Sequence, residues 1–352
     1  MNIKIMSSGS YIPTKVINNT TFDQFDFRDE QGAPLKDSNA RTAYKLQQIT
    51  GIEERRYVEE SLTTSDIGTI AAENAIKNAG IDAETLDYII FAHNFGDVKH
   101  GTLQSDIVPS LASRVKHNLK IANPSCVAFD VLFGCPGWLQ GVIQAYAFMK
   151  VGMAKRCLVI GAETLSRVID LHDRDSMIYA DGAGATILEL TNEEGGILSV
   201  ESASYTVDEA FYIHYGKSYN PDLDENTKYI KMFGRKIYEF ALTNVPLAMK
   251  SCVDKSGVDI KKIKKVMIHQ ANEKMDEAIV KRFYELYNLE MPEHIMPMNI
   301  QKLGNSSVAT LPTLYDMIVN KQLDPHSLEK GDIVLFASVG AGMNINAFTY
   351  QV

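Results

Sequence analysis

The sequence states one plan twice. In the first half the apolar run Tyr88-Ile-Ile-Phe-Ala-His93 is followed by Cys126-Val-Ala-Phe-Asp-Val-Leu132 and a turn at Phe133-Gly-Cys-Pro-Gly137. Apolar residues then recur at Leu139, Val142, Ile143, Ala145 and Tyr146, which is helical spacing. In the second half Lys265-Val-Met-Ile-His269 is followed by Ile295-Met-Pro-Met-Asn-Ile300 and a turn at Gly304-Asn-Ser-Ser307, then an apolar helix through Leu311, Leu314 and Ile318. Cys157-Leu-Val-Ile-Gly161 and Gly331-Asp-Ile-Val-Leu-Phe-Ala337 add one further strand to each half. Letter identity between the halves is low, so the repeat is one of structure. Alternating strands and helices layer as α/β, here as two mixed sheets with helices between and outside them. Residues 1–195 are expected to form one half and 196–352 the other.

Other segments fill in this plan. Residues 2–7 read as a first strand, and 20–41 as a polar surface excursion. Helices are expected over 42–50, over 64–80 with Gly80 as its stop, near 107–116, and over 231–252. Asp181-Gly-Ala-Gly-Ala185 opens a strand through Leu190.

Composition removes several classes of function. The net charge of −9 gives no general attraction to nucleic acid or to an anionic membrane. No apolar run is long enough to span a bilayer, and the N-terminus lacks the pattern of a signal peptide. Four cysteines lie far apart with no C-x-x-C, so they read as reduced thiols and the protein as cytoplasmic.

Cys135 sits at a strand-to-helix corner, with Pro136 at an expected first helical position. Backbone N–H groups and the helix dipole at such a corner favour thiolate. A small core residue is an equal reading of this stretch alone. If a pseudo-two-fold axis relates the halves, Asn305 occupies the matching elbow and His269 ends a strand beside both. Each has a dull explanation separately; their convergence points to a site.

Cys135 in Gly134-Cys-Pro-Gly-Trp138, His269 in His269-Gln-Ala-Asn272 and Asn305 in Gly304-Asn-Ser-Ser307 resemble the Cys-His-Asn set of the thiolase-fold condensing enzymes, and within them the β-ketoacyl-acyl-carrier-protein synthase III family. The resemblance covers nearly the whole chain, including Thr50-Gly-Ile-Glu-Glu-Arg-Arg56, Asp181-Gly-Ala-Gly-Ala185 and Gly340-Ala-Gly342. It implies a thiolase-like duplicated five-layer αβαβα fold with two mixed sheets. It implies decarboxylative Claisen condensation of an acyl thioester with malonyl carrier protein through an acyl-Cys135 intermediate, in fatty-acid biosynthesis. A thiolate can accept the acyl group, and the Nε–H of His269 with the Asn305 amide can hold the charge that develops when carbon dioxide leaves.

By the same resemblance, backbone N–H groups of Cys135 and Gly342 form the oxyanion hole. Arg174 and Asn272 meet coenzyme A or the pantetheine arm. Lys274, Lys281 and Arg282 receive acyl carrier protein, and Val108 and Trp138 border the acyl pocket, Val108 across a homodimer interface. A solvated surface is an equal reading of the lysines and arginine. Neither metal nor redox cofactor is implied; coenzyme A or phosphopantetheine thioesters are the substrates.

Three departures mark this chain. Lys45 and Ile49 stand where the family often carries a Trp and an Arg on the adenine, which favours an acyl-carrier-protein donor or another grip on coenzyme A. Pro136 follows the nucleophile in place of Ala, and Trp138 replaces a usual Phe. Segments 22–40 and 95–108 differ from the ordinary enzyme. Among rivals, a thiolase would carry a second Cys in the loop that here reads Ser338-Val-Gly-Ala-Gly-Met-Asn344. A hydroxymethylglutaryl-coenzyme A synthase needs a Glu beside the Cys, for which Glu163 is a candidate. A condensing enzyme making a dialkylresorcinol, a quinolone or a long-chain ketone would use the same three residues. A non-catalytic acyl-binding subunit would not need them.

Overall fold

Five strands form the first sheet: β1 (Asn2–Tyr11), β2 (Tyr88–Ala92), β3 (Val127–Val131), β4 (Arg156–Thr164) and β5 (Asp181–Thr191). The structure, a computed structural model, describes residues 1–352. The strand order is β1-β5-β4-β2-β3, with the β1–β5 and β5–β4 pairs antiparallel and the other two parallel. The second sheet holds β6 (Gly196–Ser204), β7 (Ile263–Ile268), β8 (Ile333–Gly340) and β9 (Asn344–Gln351) in the order β6-β9-β8-β7. Its pairs run antiparallel, antiparallel, parallel. The two sheets therefore share one mixed topology, except that the second has no counterpart of β3.

The missing strand corrects the expected match between 126–132 and 295–300. Residues 295–298 make no ladder. Pro297 cannot donate to one, and the Gln270 side chain takes the place of a neighbouring strand. Its amide donates to the Pro297 carbonyl (3.0 Å) and accepts from the Asn299 N–H (2.9 Å).

Helices complete five layers. α2 (Thr64–Ala79) and α3 (Leu111–Asn118) cover the outer face of the first sheet, following α1 (Asn39–Thr50), which lies beside them in sequence but packs near the site. α4 (Gly137–Lys150) lies between the sheets, and α5 (Gly234–Ser256) and α6 (Glu273–Glu285) cover the second sheet. α7 (Thr310–Val319) joins α4 in the middle layer. Strand alternation assigns the faces: Ile90 and Val159 pack inward on α4, while Ile89, Phe91, Leu158 and Ile160 pack outward with α2 and α3. Parallel strands covered on both faces read as continuous apolar runs for this reason. No helix is long and apolar enough to cross a membrane.

Two helix boundaries differ from expectation. The helix placed at 231–252 is preceded by a strand, Lys228–Met232, paired with Ile213–Lys217. Lys231 turns inward there, 2.6 Å from Asp170 and 2.9 Å from Asp173, and its ammonium lies 3.3 Å from the Tyr219 ring centre. A buried triple charge of this kind fixes the hairpin against the 3-10 turn that carries Arg174. Near residue 107 the helix begins later, at Leu111, because the Ser110 side chain caps it and Pro109 precedes the cap.

Candidate active site

Two glycines aim the two elbows. Gly134 and Gly304, each just before the residue of interest, adopt φ of 64° and 66°, a conformation that glycine takes without strain. A Cβ on Gly134 would lie 2.5 Å from the Ala341 nitrogen, and one on Gly340 would lie 2.4 Å from the Cys135 nitrogen. The 340–342 loop is thus seated backbone against backbone on the Cys135 elbow. Pro136 caps α4 and Gly137 begins it, one residue later than expected. On the other elbow, the Asn305 N–H donates to the Ile178 carbonyl and the Asn305 carbonyl accepts from Ala180, each at 2.9 Å. Arg55, buried behind Gly304, donates to the Ile17 carbonyl (3.1 Å) and to Asn19 (2.7 Å). The 50–56 motif therefore backs the second elbow.

Cys135, His269 and Asn305 line one cavity of about 310 Å³. Its walls are mainly apolar, with Phe95, Leu165, Ile213, Ile230, Met232 and Val339. Of the four free cysteines, Cys126, Cys157 and Cys252 are buried in the core and only Cys135 is partly exposed. A second cavity of about 370 Å³ shares Ile178, Met232, Ile237, Ala271 and Met275 with the first and opens between Arg174, Lys45 and Asn272. Together they make a passage from the surface to the thiol. An open cleft of about 740 Å³ beside α3 is lined mostly by polar and charged residues and touches none of the three.

Ser307 joins the three residues. Its hydroxyl donates to the Cys135 Sγ at 3.3 Å, its N–H donates to the Asn305 Oδ1 at 2.8 Å, and its carbonyl accepts from the Thr310 hydroxyl at 3.0 Å. With its carbonyl oxygen held, the Asn305 side chain presents its NH₂ group as the free donor. The Thr310 Oγ1 also lies 2.8 Å from the His269 Nδ1. The one Thr310 hydrogen can go to the Ser307 carbonyl, with the ring donating through Nδ1–H and Nε2 bare, or to Nδ1, with the ring hydrogen on Nε2. The first arrangement lets Nε2 accept a proton, and the second supplies an Nε–H donor. Ser307 holds φ at 51°, unusual for a residue with a Cβ and typical of strain kept at functional sites.

The resting electrostatics also differ from expectation. Burial pushes the Cys135 thiol up to about 11, partly offset by the Ser307 donor, with the Glu163 charge adding to the rise. Loss of solvent is the largest of these influences and favours the neutral thiol, so attack by the sulfur calls for a proton acceptor. Burial holds His269 down at about 3, so the ring is neutral in the free site. Glu163, wholly buried, is pushed up to about 8 by burial, against two hydrogen bonds from Asn94.

Other expected site residues are placed as follows. Trp138 does not line the cavity: it is 1% exposed and packs on Phe336 and Phe348 between the sheets. Position three of a helix-opening turn faces the middle layer, not the thiol. Val108 is 82% exposed and outside the cavity wall. Of the 340–343 loop, Gly340, Ala341 and Met343 line the cavity and Gly342, at φ 75°, does not. Arg174 and Asn272 both border the passage mouth, and the Asn272 Oδ1 caps α6 by accepting from Met275 at 3.1 Å. Lys274, Lys281 and Arg282 are exposed on α6, and none is in an ion pair. Ser307, Thr310 and Asn94 carried no signal as site residues in the sequence, although Ser307 lies inside the Gly-Asn-Ser-Ser turn.

Comparison with known proteins follows the same lines. A 3-oxoacyl-[acyl-carrier-protein] synthase III family model matches residues 129–206, and the model of that family's C-terminal part matches residues 253–352. The chain is 32% identical to the β-ketoacyl-[acyl-carrier-protein] synthase III of Clostridium tetani, over 97% of this chain and 96% of the relative. It superposes on the crystal structure of 3-oxoacyl-[acyl-carrier-protein] synthase III from Aquifex aeolicus with a TM-score of 0.82 and 27% identity, covering 99% of this chain and all of the other. OleA of Xanthomonas campestris, 18% identical with a TM-score of 0.80, shares the fold over the full chain.

Proposed function

The chain belongs to the 3-oxoacyl-[acyl-carrier-protein] synthase III family, and we propose that it runs the family's condensation through Cys135, His269 and Asn305. It is an acyltransferase of fatty-acid biosynthesis, a β-ketoacyl-acyl-carrier-protein synthase III. The observation that carries the assignment of the three residues is Ser307, whose hydroxyl and N–H meet Cys135 and Asn305 and whose carbonyl meets Thr310, the residue hydrogen-bonded to His269.

The first step is acyl transfer. The bare Nε2 of His269 takes the Cys135 proton, and the sulfur attacks the carbonyl carbon of the incoming thioester. The Cys135 backbone N–H holds the oxyanion, with the 340–343 loop seated against the Cys135 elbow in the contact that Gly340 permits. The C–S bond of the donor breaks, and its sulfur leaves with the proton from His269. The second step begins when a malonyl thioester enters the same passage. Loss of carbon dioxide puts charge on its thioester oxygen, which accepts from the Asn305 NH₂ and from Nε2–H of His269; for this the ring releases its Nδ1 proton and takes one up at Nε2 by exchange with solvent, and the Thr310 hydroxyl donates to the bare Nδ1. The carbanion attacks the acyl-Cys135 carbonyl, a C–C bond forms, and Cys135 leaves as thiolate and is reprotonated.

The mouth favours a carrier-protein donor over coenzyme A. Its cations are occupied by neighbouring carboxylates: Lys45 and Arg41 pair with Asp37, and Arg174 lies 3.7 Å from Asp175. Ile49 adds an exposed apolar group. Such a mouth suits the single phosphate of a phosphopantetheine arm better than the several phosphates of coenzyme A, and the unpaired cations of α6 beside it suit an acidic carrier protein. A homodimer, with Val108 of one copy reaching the other, belongs to the same reading.

Asn305→Ala separates the steps. The variant is expected to form the acyl adduct on Cys135 at near wild-type rate and to lose condensation by about a hundredfold or more, the range for one oxyanion donor. A condensation rate equal to wild type would remove Asn305 from the second step.

A further inference from the structure

Glu163 lies in β4 behind the cavity wall, where the mechanism above does not use it. It is 1% exposed, its Oε2 has no hydrogen-bond partner, and its Oε1 accepts twice from Asn94. The two donors are the Asn94 backbone N–H (2.7 Å) and the Asn94 Nδ2 (2.6 Å). The second hydrogen of that amide goes to the Ser307 Oγ at 3.2 Å, and the Ser307 hydroxyl goes on to the Cys135 Sγ at 3.3 Å.

We propose that Glu163 is a positioning residue that acts through Asn94 and Ser307 to aim a hydroxyl hydrogen at the sulfur of Cys135. The chain has a direction. An amide flip at Asn94 would set its Oδ1 against the Glu163 oxygen, acceptor on acceptor, so the carboxyl fixes the NH₂ towards Ser307. Ser307 Oγ, already receiving that N–H, gives its only hydrogen to the sulfur. Without Glu163 the amide is free to turn, its Oδ1 then takes the Ser307 hydrogen, and the sulfur loses its donor. A carboxylic acid protonated on the unpartnered Oε2 keeps Oε1 as acceptor, so the orientation survives in either protonation state. Glutamine at this position keeps it too.

This rests on Cys135 being the acyl acceptor, yet it can be read without any acyl substrate. The probe is the pH dependence of iodoacetamide alkylation at the Cys135 peptide, followed by mass spectrometry. A donor to the thiolate lowers the midpoint, and other titratable groups near Cys135 and Glu163 (His269, His214, Tyr179, Tyr215 and Asp181) stay constant across the series. Ser307→Ala is expected to raise the midpoint by about one pH unit, roughly tenfold in thiolate fraction. The same substitution is expected to do so again in a Glu163→Gln background. In Glu163→Ala and in Asn94→Ala backgrounds it is expected to change the midpoint little, because the hydroxyl is no longer aimed. Asn94→Ala cuts the chain in a loop, so the test stands if Glu163→Ala fails to fold. An equal effect of Ser307→Ala in the wild type and in both disconnected backgrounds would overturn the proposal. Loss of acyl-adduct formation with the alkylation pattern intact would instead count against the acyl-acceptor reading alone.

Discussion

At Cys135 the local sequence left a thiolate at a helix terminus and a small core residue as equal readings. In the packed site burial pushes the thiol up, because it costs the charged form its solvent. Glu163 shows the same physics in a form that can be measured on stability. Its carboxyl is pushed up from 4.5 to about 8. Between those values the folded protein holds a proton that the unfolded chain releases, so the unfolded state binds fewer protons and stability falls as pH rises through that window. Glu163→Gln removes this dependence. Urea midpoints should therefore shift in favour of the variant between about pH 5 and about pH 9, and a constant difference across that range would contradict the buried, raised carboxyl. Cys135, His269 and Asn305 were legible because each stands in a short turn whose neighbours constrain it. Asn94 and Thr310 were not, and Glu163 entered only as the glutamate that a rival enzyme would need. They act through contacts 69 residues apart in one case and 41 in another, and no periodicity marks such contacts. Trp138 was misplaced because proximity in sequence to the nucleophile does not set the face of a helix.

At the scale of elements, the doubled plan was readable from the strand–glycine–helix turns, and the matching φ of Gly134 and Gly304 is its geometric counterpart. The plan was over-extended at 295–300, where Pro297 and the Gln270 amide replace a strand. It also missed the hairpin strand Lys228–Met232, because a buried lysine looks polar in sequence and is neutralised only by Asp170 and Asp173 in space. Gly304 gives the prediction for this scale. At φ 66° and ψ −158° the backbone occupies a region reserved for glycine, and a Cβ would lie 2.7 Å from that of Arg55. Gly304→Ala should lower stability by about 1–3 kcal/mol in urea denaturation and displace Asn305 from the site, so that condensation falls further than acylation. A variant with wild-type stability would mean that the elbow is not strained.

At the scale of the molecule, two sheets and a shared helical layer bring residues from positions 135, 269 and 305 to the floor of one passage. The mouth of that passage is charge-compensated, and unpaired basic groups stand beside it on α6, although the chain as a whole carries −9. Family and layer architecture were legible in the sequence; the occupied charges of the mouth were not, because Asp37 and Asp175 meet Lys45 and Arg174 only in the folded chain. Intact-mass spectrometry tests the central claim most directly. The protein would be incubated with one acyl group presented on coenzyme A and on acyl carrier protein, beside Cys135→Ser. The expected result is one acyl adduct, mapped to Cys135, formed faster from carrier protein and absent in the variant. No adduct from either donor on the folded protein, or an adduct that persists in Cys135→Ser, would contradict it.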